Sequence, residues 1–149
     1  ETDDIDFLVA ALHDADEDDD RIRALVTDAG TTSYAVVIDG ERVGAVSLHW
    51  ALNDSEILYI AIDAALRGRG VGAAVIARVL DEARRRKTAA LLVGTSNASL
   101  GTIAFYQKCG FRMDSIRRDY FAYFSEPVYE NGIQIRDMLV LRLDVQPQG

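Results

Sequence analysis

The spacing of apolar positions predicts two short helices followed by three strands. These segments cover residues 5–12, 18–29, 34–38, 42–50 and 56–62. The second helix places Ile22, Leu25 and Val26 on one face, and Gly30 stands where a helix would stop. Between the first two strands, Asp39-Gly40 is typical of a tight hairpin. The first part of the chain therefore predicts helices followed by antiparallel strands.

The rest of the chain alternates strands with helices. Helices are expected over residues 73–87 and 100–108, and strands over residues 89–93, 111–116 and 138–143. The apolar face of the first of these helices consists of Val71, Val75, Val79 and Ala83. Cys109-Gly110 ends the second helix, and Asn131-Gly132 marks a turn ahead of the last strand. Antiparallel hairpins followed by a strand-helix-strand-helix unit indicate an α+β fold, in which helices cover a mixed sheet.

Length and charge narrow the function classes. A chain of 149 residues is most simply one domain with a substantial core. Its formal net charge of -8 argues against nonspecific binding to nucleic acid or anionic membranes, because both carry negative charge. No apolar run approaches the roughly 20 residues that span a bilayer. We therefore expect neither a nucleic-acid partner nor a membrane partner.

Cysteine and histidine are too sparse for a disulfide framework or a metal site. Cys109 is the single cysteine and cannot form an internal disulfide, which suits a reducing cytoplasm. His13 and His49 stand alone, so no metal is expected. The acidic run over residues 14–20 is most simply a solvated lead-in to a helix, whose N-terminus favours acidic residues. A second interpretation is that it attracts a cationic amine.

The sequence RGRGVG, residues 67–72, stands directly before the long helix. Free amide N–H groups at a helix start, together with the helix dipole, form an anion site. Glycines let the backbone approach a bulky anion closely. Arg67 and Arg69 add positive charge and bidentate phosphate contacts. A phosphate ligand is the leading interpretation, and the alternative is a glycine-rich turn with two solvated arginines.

Two familiar phosphate-binding motifs fit this loop poorly. A P-loop ends in Gly-Lys-Ser/Thr, and no lysine is present here. GRGVGA, residues 68–73, matches the dinucleotide pattern G-x-G-x-x-G/A, but residues 63–67 separate it from the preceding strand. The next strand, ALLVGTSN, also ends without the acidic residue that would bind a ribose hydroxyl.

A third motif fits better. The stretch IAIDAALRGRGVG, residues 60–72, resembles the acetyl-CoA signature of the GNAT superfamily of N-acetyltransferases, in which the loop reads Arg/Gln-x-x-Gly-x-Gly/Ala. A second stretch, AFYQKCGF, residues 104–111, resembles the family's Tyr-x-Lys-x-Gly-Phe segment. The two motifs occur in the family's order, with a helix and a strand between them. The resemblance covers residues 33–118.

The resemblance implies a fold and a cofactor. The expected fold is a single α+β N-acetyltransferase domain over residues 1–149, with a mostly antiparallel central sheet that splays at the acetyl-CoA site and helices on both faces. The strand that usually opens the family's fold is missing from the pattern, which suggests truncation or an atypical start. In the family, backbone groups matching Ile60 and Ile62 pair with the pantetheine arm. The pyrophosphate would be held by the loop, which comprises Arg67, Gly68, Arg69, Gly70, Val71 and Gly72.

The resemblance also implies catalytic residues. Tyr106 matches the tyrosine that protonates the CoA sulfur, and the alternative is a helix tyrosine that packs on the core. Glu56 opens the strand that leads to the loop, where many members carry a glutamate that acts as base directly or through water. The alternative for Glu56 is a solvated strand-edge carboxylate. Ser99 stands seven residues before the tyrosine, where the family often has an asparagine, and is a candidate cofactor contact.

The implied function is transfer of the acetyl group of acetyl-CoA to a primary amine by direct attack. The acceptor is a small molecule or a protein N-terminus, and polyamines, aminoglycosides, amino acids and peptides are all open. The alternative from another class is a catalytically silent acyl-CoA-binding regulatory module on the same fold. A cytoplasmic location and a homodimer are the remaining expectations.

Overall fold

In the computed structural model, which describes residues 1–145, the helices and strands follow the order expected from the sequence. The helices are α1 (Ile5–Leu12), α2 (Asp19–Val26), α3 (Val71–Arg86) and α4 (Leu100–Lys108), with a 3-10 turn at Ala64–Leu66. The strands are β1 (Thr31–Ile38), β2 (Glu41–His49), β3 (Asp54–Ile62), β4 (Ala90–Ser96), β5 (Arg112–Arg117), β6 (Tyr129–Glu130), β7 (Ile133–Gln134) and β8 (Met138–Asp144). Within the same residues, no helix combines the length and apolar character needed to cross a membrane.

Six strands form one sheet in the order β1-β2-β3-β4-β8-β5. β3 and β4 run parallel, and the other neighbouring pairs in this sheet are antiparallel. The parallel pair is short, because it joins only residues 54–57 of β3 to residues 90–93 of β4. Beyond that point the two strands diverge and the sheet opens between them. This confirms the predicted mixed sheet, which is mostly antiparallel and splays at one place.

Helices cover both faces of the sheet, and each face has its own core. On one face, α3 and α4 pack on a core that includes Val75, Val79, Leu91, Val93 and Tyr106. On the other face, α1 and α2 pack on a second core that includes Leu8, Leu12, Ile22, Ala45 and Ala61. In the apolar face predicted for the long helix, Val75, Val79 and Ala83 are buried, and Val71 is partly buried against the same core.

α2 is shorter than the sequence pattern predicts. It ends at Val26, three residues before the end of the expected helix. The Thr27 hydroxyl donates to the Arg23 carbonyl at 2.7 Å, and Asp28 accepts the Gly30 amide at 2.8 Å. Such local side-chain bonds compete with helical ones. After these bonds the chain enters β1. This strand begins at Thr31 and pairs with β2 from that residue, three residues before the predicted start of the strand.

Both predicted two-residue turns are present. Asp39 and Gly40 have φ of 51° and 82°, and Asn131 and Gly132 have φ of 54° and 74°, in the left-handed region that two-residue hairpin turns favour. The first turn joins β1 to β2. The second joins β6 to β7, a small hairpin that the apolar pattern did not predict as strands.

Candidate active site

The divergence of β3 and β4 opens a cavity of about 540 Å³, walled by the end of β3, the start of α3 and one side of α4. Ile60 and Ile62 of β3 line it. The Asp63 amide donates to the Val43 carbonyl of β2 at 2.7 Å. Because backbone groups alternate between the two edges of a strand, the amides and carbonyls of Ile60 and Ile62 point away from β2. Among residues 1–145 they have no strand partner there, since β3 pairs with β4 only up to Ile57.

The loop before α3 leaves backbone amides free. Gly68 and Gly70 have φ of 78° and 79°, which disfavours residues with a side chain, and a Cβ at either would meet nothing within 4 Å. Gly70 caps α3 without a side-chain hydrogen bond, and Ala74 donates to its carbonyl at 3.1 Å. In the described part of the chain, the amides of residues 71–73 therefore have no partner. Together with the helix dipole they make an anion-binding position.

Gly72 brings α3 close to α4. A Cβ at this position would lie 3.1 Å from Cζ of the Phe105 ring, and both residues line the cavity. The glycine therefore permits close packing of the two helices behind the loop, a role that differs from those of Gly68 and Gly70.

The two arginines of the loop differ in position. Arg67 lines the cavity, and its Nη2 donates to Oδ2 of Asp14 at 3.1 Å. Asp14 lies in the turn after α1 and lines the same cavity. Arg69 is exposed and, like Val71, lies outside the lining. Sequence analysis could not distinguish the two arginines, because the contact between Arg67 and Asp14 spans 53 positions of the chain.

Tyr106 is a buried tyrosine of the cavity wall, with only 4% of its surface exposed. Its ring packs against those of Phe105 and Phe111, with centroids 5.3 and 5.6 Å away. Burial, with a smaller effect of the Cys109 charge, raises the pKa of Tyr106 to about 12. Among the hydrogen bonds of residues 1–145, none involves its hydroxyl, and none contributes to this shift. That hydroxyl is protonated at neutral pH and is available as a donor.

Sequence reasoning missed several lining residues that share the face of Tyr106. On α4 and just after it, the cavity is lined by Thr102, Phe105, Tyr106, Lys108 and Cys109. Most of these recur at the three- and four-residue spacing of one helix face, and that spacing was the available signal. Burial raises the pKa of the Cys109 thiol, so this thiol is protonated at neutral pH.

Glu56 lies outside the cavity lining and is held by an ion pair. Arg117, at the end of β5, donates Nη2 to Oε1 at 2.6 Å and Nη1 to Oε2 at 3.3 Å. The Glu56 side chain is 23% exposed and the Arg117 side chain is 38% exposed. The hydrogen bond to Glu56 raises the pKa of the Arg117 guanidinium. Glu56 is thus a partly buried, bonded carboxylate and not a freely solvated one.

Ser99 occupies the N-cap position of α4, also outside the cavity lining. Its hydroxyl donates to Oε2 of Glu130 at 2.8 Å, and the Ser96 hydroxyl lies 2.7 Å away. Asn131 donates to the Ala98 carbonyl at 2.9 Å. The small β6–β7 hairpin therefore docks on the start of α4 through these residues. A contact between Ser99 and a cofactor stays a prediction.

The two histidines lie in different parts of the fold and have different hydrogen-bond partners. Nδ1 of His13 lies 2.8 Å from Asp19, whose carboxylate raises the pKa of His13, and Nδ1 of His49 lies 3.1 Å from the Gly30 carbonyl. In the described part of the chain, residues 1–145, no group of three or more histidine, cysteine, aspartate or glutamate side chains is arranged to hold a metal ion.

Solved acetyltransferase structures share this architecture. A GNAT family acetyltransferase from Elizabethkingia anophelis with acetyl-CoA bound superposes with a TM-score of 0.83 and 31% identity, covering 91% of this chain and 88% of that one. An acetyltransferase from Bacillus subtilis in complex with CoA gives a TM-score of 0.85 and 31% identity, covering 95% and 93%. Both of these similar proteins therefore bind CoA or its acetyl ester.

Sequence relatives lead to the same family. The uncharacterized N-acetyltransferase YvbK of Bacillus subtilis is 37% identical over 91 residues, which are 60% of this chain and 59% of that protein. The [ribosomal protein bS18]-alanine N-acetyltransferase of Escherichia coli strain K12 is 30% identical over 89 residues, 60% of each chain. The chain thus spans about three fifths of the length of these relatives. The acetyltransferase (GNAT) family model matches residues 3–111, and this chain belongs to that family.

Proposed function

We propose that this chain transfers the acetyl group of acetyl-CoA to a primary amine by direct attack, and that the amine belongs to a small molecule or a protein N-terminus. One observation carries the proposal: the uncapped start of α3 and Tyr106, whose hydroxyl has no hydrogen bond among residues 1–145, line the same cavity. The first group suits a phosphate. The second can protonate a thiolate. CoA carries both a pyrophosphate and a thiol.

The pyrophosphate half of the cavity is the loop over residues 67–72. The free amides at the start of α3 and the open surface at Gly68 and Gly70 fit a bulky anion. Arg67 lines the cavity and can add a charge-assisted hydrogen bond. We assign Arg69 a supporting role from the solvent side, where its charge strengthens the local positive potential.

The other half of the cavity suits an extended chain with amide groups. The unpaired backbone groups of Ile60 and Ile62 form a free strand edge, to which such a chain can bond as a further strand would. A volume of about 540 Å³ also lies within the ordinary range of small-molecule sites. When bound here, acetyl-CoA supplies an acetyl group activated as a thioester.

Tyr106 is the proposed general acid. A free thiol has a pKa of about 8.5, so a leaving thiolate gains a proton at neutral pH when a donor is placed beside it. Tyr106 stays protonated, because its pKa is raised to about 12. Cys109 lines the same cavity as a protonated thiol, which is a poor nucleophile. This supports direct attack by the amine over an acyl intermediate on the protein.

Glu56 is the proposed base. Its carboxylate would accept the proton of the incoming ammonium, directly or through water. The two bonds from Arg117 use one lone pair on each oxygen and leave the others open to accept.

The acceptor is tested by a panel of amines. The name of the Escherichia coli relative gives its acceptor as an alanine of ribosomal protein bS18, so alanyl peptides belong in the panel with polyamines, aminoglycosides and amino acids. The measurement is release of the CoA thiol from acetyl-CoA. Turnover with at least one amine supports the proposal. Calorimetric CoA binding with no turnover of any amine favours the regulatory module instead.

A cytoplasmic location and a homodimer complete the proposal. The first rests on Cys109, the single cysteine, whose thiol is half-buried. The second is measured by light scattering of the purified protein, in which a dimer has twice the mass of the chain.

A further inference from the structure

Asp14 and Arg67 form an ion pair at the open side of the cavity. The two residues line the cavity together, and Nη2 of Arg67 lies 3.1 Å from Oδ2 of Asp14. We infer that Asp14 is a counter-ion of Arg67 that competes with the pyrophosphate of CoA and thereby sets the affinity and release rate of CoA. The inference rests on the proposed binding of CoA in this cavity, and it assigns a role to a residue of the acidic run.

The competition follows from the positions of the two charges. Arg67 stands beside the free amides of α3, where the anion is proposed to bind. A phosphate that takes hydrogen bonds from Arg67 either displaces the Asp14 carboxylate or comes to lie next to it. In the first case the ion pair is broken. In the second case like charges are brought together, which is unfavourable. Both cases weaken CoA binding relative to a site without Asp14.

The ion pair can exchange partners without unfolding its surroundings. The side chains of Arg67 and Asp14 are 58% and 60% exposed, and pairs exposed to this extent stabilise a fold very little. The turn that carries Asp14 is held by α1, whose Leu8, Val9 and Leu12 are buried. Replacing Asp14 is therefore compatible with an intact fold.

The neighbouring acidic residues are used differently. Asp16 and Asp18 pair with Arg21, and Asp19 pairs with His13. In the described residues 1–145, Glu17 has neither an ion-pair partner nor a place in the cavity lining. Glu17→Gln is therefore a matched control for Asp14→Asn. It changes the net charge by the same amount and lies three positions further along the same acidic run.

The test is calorimetric titration of CoA into the wild type, into the single variants Asp14→Asn, Glu17→Gln and Arg67→Ala, and into the double variant that combines Asp14→Asn with Arg67→Ala. We expect Asp14→Asn to lower the Kd of CoA by about two- to fivefold and to slow CoA release. Glu17→Gln should change the Kd by less than about twofold, because long-range effects of exposed charges are screened. In an Arg67→Ala background the gain from Asp14→Asn should shrink, since the shared arginine is gone. Pantetheine, which lacks the pyrophosphate, should bind the wild type and Asp14→Asn equally.

Two results overturn the inference while leaving the proposed function intact. One is an Asp14→Asn protein with a wild-type circular dichroism spectrum that binds CoA no tighter than the wild type. The other is an equal gain in Asp14→Asn and Glu17→Gln, which would reveal a general effect of net charge. A folded wild type that fails to bind CoA overturns both this inference and the proposed function.

Discussion

Arg117 and Glu56 form a bidentate ion pair, although two strands lie between β5 and β3 in the sheet. The Met138 side chain occupies the space over Gly94 of β4, where any Cβ would clash with it, and its sulfur lies 3.6 Å from Nη1 of Arg117. The glycine therefore lets a long side chain lie over the middle strands beside the pair. Packing of the sheet face and orientation of the proposed base are coupled at this point.

Glu56→Gln tests the base. Glutamine keeps the size of the side chain and removes its ability to take up a proton. We expect turnover to fall near neutral pH and to recover at high pH, where the free amine is plentiful. The measurement is the pH–rate profile with a good acceptor.

Arg117→Gln is the matched control for this prediction. It breaks the same ion pair but leaves the carboxylate in place, so a loss caused only by the broken pair would appear equally in both variants at every pH. A Glu56→Gln profile that matches the wild type removes Glu56 from the mechanism.

Gly70→Asp tests the anion-binding loop. The side chain and its charge would enter the open space beside the free amides of α3, so CoA affinity should fall by at least about 100-fold. Gly40→Asp is the control. Gly40 has a φ of 82° against 79° for Gly70 and is equally open, so the backbone strain is similar while the site is untouched. Calorimetry showing wild-type CoA affinity for folded Gly70→Asp would exclude this loop as the binding site.

Arg67→Ala and Arg69→Ala together test which arginine binds phosphate. Arg67 lines the cavity and Arg69 does not. We expect Arg67→Ala to weaken CoA binding by about 1–3 kcal/mol, and to flatten the dependence of affinity on salt, because a charge-assisted contact is lost. Arg69→Ala should have a smaller effect, through the local potential alone. Titrations at two salt concentrations measure both effects, and a larger loss in Arg69→Ala would reverse the assignment.

Sequence analysis placed an element correctly where residues within that same element determine its bounds. The bounds of α4 match the prediction, because its apolar spacing and Cys109-Gly110 stop lie within one segment. The Asp39-Gly40 and Asn131-Gly132 turns depend only on residues that tolerate positive φ. β4 extends three residues beyond the predicted end, to Ser96, since residues 94–96 pair with residues 138–140 of β8. No local pattern reports that pairing.

The same division applies to the candidate site. The glycine loop could be found from its composition, because an anion-binding helix start has a local sequence signature. The contacts that hold the other features of the candidate site in place join residues far apart in the sequence. Arg67 with Asp14, Glu56 with Arg117 and Ser99 with Glu130 are separated by 53, 61 and 31 positions. The fold brings these pairs together, so single-sequence reasoning named one member of each pair and missed the other.

Burial of Tyr106 predicts a pH dependence of stability. Its pKa is about 12 in the folded protein and about 10 in an unfolded chain, so the unfolded state loses its proton first as the pH rises. The stabilisation is complete below pH 10 and decreases between about pH 10 and 12. At pH 11 this difference corresponds to about 1.4 kcal/mol. Denaturant unfolding at pH 8 and pH 11 should show a smaller loss for Tyr106→Phe than for the wild type, and equal losses would contradict the buried, neutral hydroxyl.

Tyr106→Phe is also the decisive test of the general acid. The substitution keeps the ring contacts with Phe105 and Phe111 and deletes a hydroxyl that no protein group among residues 1–145 bonds, so stability at neutral pH should be near that of the wild type. CoA affinity should also be retained, because the binding loop is unchanged. Turnover should fall by about 100-fold or more, since the leaving thiolate loses its proton donor.

The comparison with wild type requires a good amine acceptor and conditions in which chemistry limits the rate. Tyr129→Phe is the control, because Tyr129 is 62% exposed on β6, outside the cavity lining, and its hydroxyl has no part in the proposed mechanism. A slower thioester reaction should appear in single-turnover experiments with Tyr106→Phe and not with Tyr129→Phe. If folded Tyr106→Phe binds CoA and turns over at the wild-type rate, the hydroxyl donates no proton in the reaction, and Tyr106 acts only through the packing of its ring.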